Sequence, residues 1–367
     1  MGIKIFHTGD IHLGMKFNRY NEEVRGVLSE ARFKSVEKMI KQANDLNSDL
    51  FVIAGDLFNT IQVPKRDIER CVEILNRFNG ACVLVLPGNH DYDNGMTDLW
   101  KTFAKIPSEK LLLINEPRVY LLDAYGLDAA VYAAPCPSKH SKDNVLGWVK
   151  ESGMVEGVEH HIGVAHGAIE GLSADLEGNY YSMGLAELND IPTDLWLLGH
   201  THVCYPTNET VRDHKIFNPG TPEPDGLDFR GAGAAWSIDL NREGSRAQRI
   251  DTGEYRFFDR QFSIDSQDDL ESIKPWLLEG RPEKKVVRIS LKGSLAEKDY
   301  RDLSEFYREI DALVFDLSII DEDLKMKISS EIIEKEFSKG SFPYEFLNGL
   351  IHDPEALQIA YDLVRRG

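Results

Sequence analysis

Asp, Asn and His recur at the ends of short apolar runs in this chain, and these residue types at this spacing could hold metal ions. Gly9-Asp10-Ile11-His12 follows the run 3–6, Gly55-Asp56-Leu57-Phe58 follows 50–54, and Gly88-Asn89-His90-Asp91 follows 82–86. Ala165-His166-Gly167 closes the run 162–165, and Gly199-His200-Thr201-His202 follows 195–198. Each run is short and β-rich enough to be a buried strand. Polar residues at the ends of such strands are where an α/β fold builds sites, so seven candidate ligands are expected to converge on one sheet edge.

Carboxylate, amide oxygen and imidazole form a mixed O/N donor set without thiolate, which suits manganese, iron or zinc better than calcium or a sulfur cluster. In the first and last motifs the paired donors sit two residues apart, so on extended backbone both side chains would leave one face. The glycines before Asp10, Asp56, Asn89 and His200 fit places where the backbone turns sharply or passes close to an ion. Seven donors exceed what one ion with an open position uses. Two ions sharing a carboxylate, roughly 3.5–4 Å apart, is the economical reading.

With these five motifs in this order, the sequence resembles the calcineurin-like metallophosphoesterases, and within them the SbcD-type nuclease subunits of double-strand-break repair, whose length is also similar. The resemblance implies that Asp10, His12 and His202 bind one metal, that Asn89, His166 and His200 bind the other, and that Asp56 bridges them. His90 is then the catalytic acid, outside the ligand set. Two Mn²⁺ ions are the implied cofactors, with iron or zinc as alternatives. DNA, an SMC-like ATPase and a second copy of the chain are the implied partners, the copies meeting through helices over 67–78 and 97–104. Asn59 stands where many of these proteins carry His or Asp.

Other histidines carry no such pattern. His7 lies on a strand that should be buried and reads as a packed core residue, while His140, His160, His161, His214 and His352 read as surface or loop residues. Asp91 could orient His90 or serve as a turn residue.

The first strand is expected to begin at Ile3, so no cleavable leader is expected ahead of Asp10. Phe6 rules out a myristoylation signal. No apolar run approaches the roughly 18 residues of a membrane helix. Cys71, Cys82, Cys136 and Cys204 lack any framework spacing and fit reduced thiols, so a cytoplasmic enzyme is expected. The net charge of -19 opposes the basic footprint of a DNA-binding protein. Lys16, Arg19, Lys65, Arg66 and Arg230, near the motifs in sequence, could still form a positive rim.

To position the motifs, strand and helix must alternate. Residues 22–46 alternate apolar and charged residues at helical spacing behind Asn21, an N-cap type, and form a crossover helix. Residues 119–123 with 129–134 read as a hairpin, and 234–240, 247–251 and 256–262 as closing strands. Such βαβ alternation argues a parallel or mixed sheet with flanking helices. By resemblance the fold is an α/β four-layer αββα sandwich with a small α+β capping domain. The expected division is 1–262 catalytic, 263–327 capping and 328–367 C-terminal helices. In the capping region, 267–274 reads as a helix stopped by Pro275, 286–291 and 313–319 as strands, and 297–310 as a helix.

The expected chemistry is in-line phosphodiester hydrolysis of DNA by a metal-activated water, with His90 protonating the leaving oxygen. A phosphatase or cyclic-nucleotide phosphodiesterase is the alternative, and a catalytically silent scaffold a third reading.

Overall fold

The computed structural model describes residues 2–172, 178–229 and 231–366. They form two units, 1–256 and 257–367.

In the first unit the apolar runs are the central strands. Ile3–Thr8, Leu50–Ala54, Cys82–Leu86 and Leu111–Leu113 pair in parallel, and Ala234–Asn241 joins antiparallel to Ile3–Thr8, followed by Gly244–Asp251 and Thr210–Arg212. A second sheet holds Ile216–Phe217, Leu195–Gly199, His160–His166 and Ala129–Ala134 in parallel, with Val119–Leu121 antiparallel at its edge.

Alternation along each strand explains why the runs are continuous rather than amphipathic: both faces are covered. Ile5, Val52 and Leu84 pack against Val131, Val164 and Leu197 between the sheets. Phe6, Phe51 and Val83 point outward, onto the helices Glu22–Asp45, Lys65–Leu75 and Asp98–Lys105. On the far side Tyr132, Trp196 and Leu198 pack against Val149 and Leu188 of the helices Gly147–Ser152 and Leu185–Asp190. The layers are therefore helix, sheet, sheet, helix. Asn21 caps the first helix as expected, its side chain accepting from the Val24 amide at 2.9 Å.

The second unit is built on a three-stranded sheet of Arg256–Ile264, Lys285–Leu295 and Asp316–Met326. The run 256–262, expected to close the large domain, is thus an edge strand of the small one. Pro275 does not end a helix here. It falls in the first turn of Ile273–Leu278, where a missing N–H costs nothing, and the preceding helix is only Gln267–Glu271. Three helices, Ser330–Glu336, Phe342–Gly349 and Pro354–Arg366, complete the unit.

All four cysteines are free thiols. Among the described residues no helix is long and apolar enough to cross a membrane.

Candidate metal centre

All five motifs lie at the carboxyl ends of parallel strands, where an open α/β sheet binds its ligands. Their side chains converge, although not by the extended-strand geometry the spacing suggested. Asp10, His12, Asp56 and His200 all adopt left-handed backbone conformations, with φ of 52, 50, 52 and 93°. Non-glycine residues there are strained, and such strain clusters at functional sites. The glycines serve close approach: a Cβ on Gly88 would lie 2.2 Å from Asp56 Oδ1, and one on Gly199 would lie 2.0 Å from the Ala54 carbonyl oxygen.

Three overlapping groups of donor atoms result, Asp10 with His12 and His202, His12 with Asp56 and His90, and Asp56 with His166 and His200. His12 Nε2 lies 3.3 Å from His202 Nε2, and His202 Nε2 lies 3.9 Å from Asp10 Oδ1. Asn89 Oδ1 is 3.0 Å from both His166 Nε2 and His200 Nδ1. Asp56 stands between the halves, its Oδ2 3.6 Å from His12 Nε2 and 3.4 Å from His166 Nε2. Four imidazoles, two carboxylates and an amide oxygen, most of them buried, form a donor set that fits a pair of divalent ions sharing Asp56.

Backbone groups orient the donors. The His200 amide donates to both oxygens of Asp10 at 2.9 Å, and the His90 amide donates to Asp56 Oδ1 at 2.8 Å. His166 Nδ1 lies 2.9 Å from the Ala54 carbonyl, which fixes the tautomer that leaves Nε2 for a metal. Sequence reasoning missed Asp225, whose Oδ2 lies 2.9 Å from His202 Nδ1. It also missed Tyr180, whose ring lies 5.1 Å from that of His200. Neither sits in a strand-end motif.

In the metal-free protein the charges of the cluster settle on one another. Burial alone would lower His166 and His202, but the adjacent Asp56 holds His166 up to about 9, and Asp225 with Asp10 holds His202 up to about 9. Asp56 is kept below the usual carboxylate range because His166 and His12 outweigh its burial. Burial raises Asp10 to about 6, and burial with the neighbouring His166 charge lowers His200 to about 3.

His90 is half-buried beside this set, its ring 4.8 Å from that of His12 and its Nδ1 3.1 Å from the Asn59 carbonyl. Asp91 does not orient it. The buried Asp91 carboxylate accepts from the amides of Gly88 at 2.7 Å and Phe58 at 2.9 Å, tying two motif loops together.

His7 is a core residue, as expected, with Nε2 3.3 Å from the Phe217 carbonyl and burial lowering it to about 4. His160, read as surface, is buried, because its strand begins two residues before the run 162–165 and alternation turns it to the same face as Ile162 and Val164. His161 and His214 are half-buried, His161 meeting the Tyr132 hydroxyl at 3.0 Å. His140 and His352 are exposed.

One cavity lies beside the segment that follows the first motif, and a second opens on the last motif. The first, of about 760 Å³, is lined by Lys16, Arg25, Arg66 and Arg70 together with Glu22, Glu30 and Asp67. The other, of about 770 Å³, opens on His200 and His202 and is lined by Asp225, Asp228, Asp251 and Arg249. Of the expected positive rim, Lys16 and Arg66 line the first cavity, and Arg230 lies outside the described residues.

The sequence profile of the calcineurin-like phosphoesterase family matches residues 3–204, which contain all five motifs. Among curated proteins, the DNA double-strand break repair protein Mre11 of Methanosarcina mazei is 36% identical over 91 residues, 24% of this chain and 14% of that protein. An uncharacterized metallophosphoesterase of Bacillus subtilis, YhaO, is 25% identical over 244 residues, 58% of this chain and 54% of its own. The 3',5'-cyclic adenosine monophosphate phosphodiesterase CpdA of Haemophilus influenzae is 31% identical over 165 residues, 44% of this chain and 56% of its own. In all three, the matched segment spans less than two thirds of the relative's length.

Proposed function

Because the chain belongs to the calcineurin-like phosphoesterase family and carries a complete donor set for two metals, we propose that it is a DNA nuclease of the double-strand-break-repair type. The observation that carries the two-metal hydrolase part of this reading is Asp56, whose Oδ2 stands within 3.6 Å of one histidine from each half of the cluster; the choice of DNA as substrate rests on the resemblance to a repair protein. Two divalent ions held there would lower the pKa of water and neutralise charge on the phosphoryl oxygens; manganese is the proposed metal. The residues Asp10, His12 and His202 would hold one ion, and Asn89, His166 and His200 the other.

The chain itself supplies orientation and a proton. His90, its Nδ1 directed at the Asn59 carbonyl, would in its doubly protonated form present Nε2–H to the leaving oxygen of a sugar, and end as the neutral ring with Nδ1–H retained. In the cavity beside residues 14–18, Arg70 is paired with Glu30 at 2.6 Å and Arg66 with Asp67 at 3.3 Å, so Lys16 and Arg25 are the cations proposed to meet a phosphate backbone on a chain of net charge -19. The relative named as a repair protein supports the same substrate.

As part of this reading we propose two partners. The exposed pairs Phe342 and Phe346, and Ile359 and Leu363, stand four residues apart on the last two helices and would dock an SMC-like ATPase. A second copy would pair through the helices Lys65–Leu75 and Asp98–Lys105, next to the exposed Met96.

One observation favours a second reading. The acidic cavity opening directly on His200 and His202 suits a small phosphate ester better than a polyanion, as in a phosphatase or cyclic-nucleotide phosphodiesterase. The test is purified protein with Mn²⁺ on linear duplex DNA, single-stranded DNA and cyclic AMP. Degradation of DNA is expected. Rapid hydrolysis of cyclic AMP with DNA left intact would replace the nuclease reading by the second.

A further inference from the structure

The loop from Asp10 to His12 holds two left-handed residues in three, at φ of 52 and 50°. Such conformations persist only where the surroundings over-determine them. Here the backbone groups are pinned one by one. The Asp10 amide donates to the Gly55 carbonyl at 3.1 Å and the His12 amide to the Asp56 carbonyl at 2.9 Å. The Asp10 carbonyl accepts from Thr221 Oγ1 at 2.9 Å, and the Ile11 carbonyl from Arg32 Nη1 at 2.6 Å.

Arg32 is the anomaly among these braces. It sits on the buried face of the helix Glu22–Asp45, in the stripe of Leu28, Val36 and Met39, and is 0% exposed. A buried guanidinium is costly unless it serves partners. Its Nε and Nη2 have no hydrogen-bond partner among the described residues, so the one hydrogen bond of its fork goes to Ile11, while its Cζ stands 5.5 Å from the centroid of the Phe17 ring. An apolar side chain would fill this helix position at lower cost if packing were the whole task. Its charge also interacts with Asp225, which meets His202, with Glu223, and with the donor Asp10.

We propose that Arg32 is a positioning residue for the half-centre of Asp10, His12 and His202. From the crossover helix it holds the Ile11 carbonyl, and with it the spacing of the two donors on either side. The inference rests on reading the cluster as a metal centre. It assigns Arg32 no contact with substrate or metal.

The test is calorimetric titration of chelator-stripped protein with Mn²⁺ alone, for wild type, Arg32→Met and Arg32→Lys, with His202→Ala and His166→Ala marking the two sites. Wild type is expected to bind two ions. Arg32→Met should weaken the site that His202→Ala removes by about 10–100-fold, the usual effect of losing a partner outside the ligand shell, and leave the site that His166→Ala removes unchanged. Arg32→Lys should recover part of that loss, since Nζ keeps a charge and a donor. Equal weakening of both sites, or two sites of wild-type affinity in Arg32→Met, overturns the proposal. If Arg32→Met does not fold, Arg32→Lys decides: a deficit confined to the His202 site supports it, and two wild-type sites overturn it. Wild-type protein that binds no ion overturns the metal-centre reading and this inference with it.

Discussion

His202 divides its two ring nitrogens between opposite tasks: Nδ1 lies 2.9 Å from Asp225 Oδ2, while Nε2 lies 3.3 Å from His12 Nε2 and 3.9 Å from Asp10 Oδ1. A carboxylate behind an imidazole fixes the tautomer and raises the basicity of the nitrogen that meets the metal. Asp225 is buried enough to be raised, yet its bond to His202 pulls it down to about 2, so it is ionised at any working pH. Asp225→Ala should weaken the metal site that His202 serves by about 10–100-fold without unfolding the protein. Metal titration checks this, and an unchanged affinity would show that the Asp225 contact is incidental.

The pH dependence of metal binding follows from the two raised histidines. His166 and His202 must be neutral to ligate, but in the metal-free fold each holds its proton up to about 9. Manganese affinity should therefore climb with pH through the neutral range and level off only near 9, rather than at the ordinary histidine value. Stability has the opposite sign in the absence of metal. Both pKa values are raised on folding, so their contribution is fully present below about 6.5 and is lost as pH rises through 9. Thermal melts in chelator should show a loss attributable to these groups between those limits, and melts in excess Mn²⁺ should not. Identical pH profiles with and without metal would contradict the linkage.

Asp56 is the carboxylate expected to be shared, and removing it leaves two cations facing each other unscreened. Asp56→Ala should retain at most one tightly bound ion by elemental analysis. Gly88→Ala offers a second check, because its Cβ would lie 2.2 Å from Asp56 Oδ1 and 2.4 Å from the Asp56 amide nitrogen, so the carboxylate and its backbone must both shift. It should lose metal in the same way while keeping every donor. Two tightly bound ions in either variant would defeat the bridging role.

The centre was readable in sequence to the extent that each donor is anchored at the end of its own apolar strand. Leu50–Ala54 and Cys82–Leu86, buried on both faces, could hardly be anything but central strands. How the donors converge was not readable, since the left-handed conformations at Asp10, His12 and Asp56 carry no local sequence signature, and the groups that meet the first of these loops, Thr221 and Arg32, come from distant segments. Asp225 was hidden for the same reason: it lies in a proline-rich turn, 23 residues beyond His202, with no periodicity to mark it. Arg32 did leave a signal, a charge on the apolar stripe of an amphipathic helix. In the smaller unit Asp316–Met326 extends well past the expected 313–319, because its later residues Asp321, Glu322 and Asp323 are exposed and look like a solvated charge run in isolation. Pairing with Lys285–Leu295 makes them strand.

His90 separates recognition from chemistry. Its backbone amide supports Asp56 and its ring reaches the Asn59 carbonyl, so truncating the side chain should leave the metal donors in place. His90→Ala should bind two ions and DNA normally, yet lose roughly 10²–10⁴ in the rate of DNA hydrolysis, the usual worth of a positioned proton donor. An aryl phosphodiester such as a nitrophenyl ester should suffer much less, because its leaving group departs without a proton. The contrast between substrates is the measurement, made on both proteins at saturating Mn²⁺. Equal losses on both substrates would mean that His90 stabilises phosphoryl charge instead of donating a proton. No loss on either would remove it from the chemistry, leaving the ring only its packing against His12, 4.8 Å away.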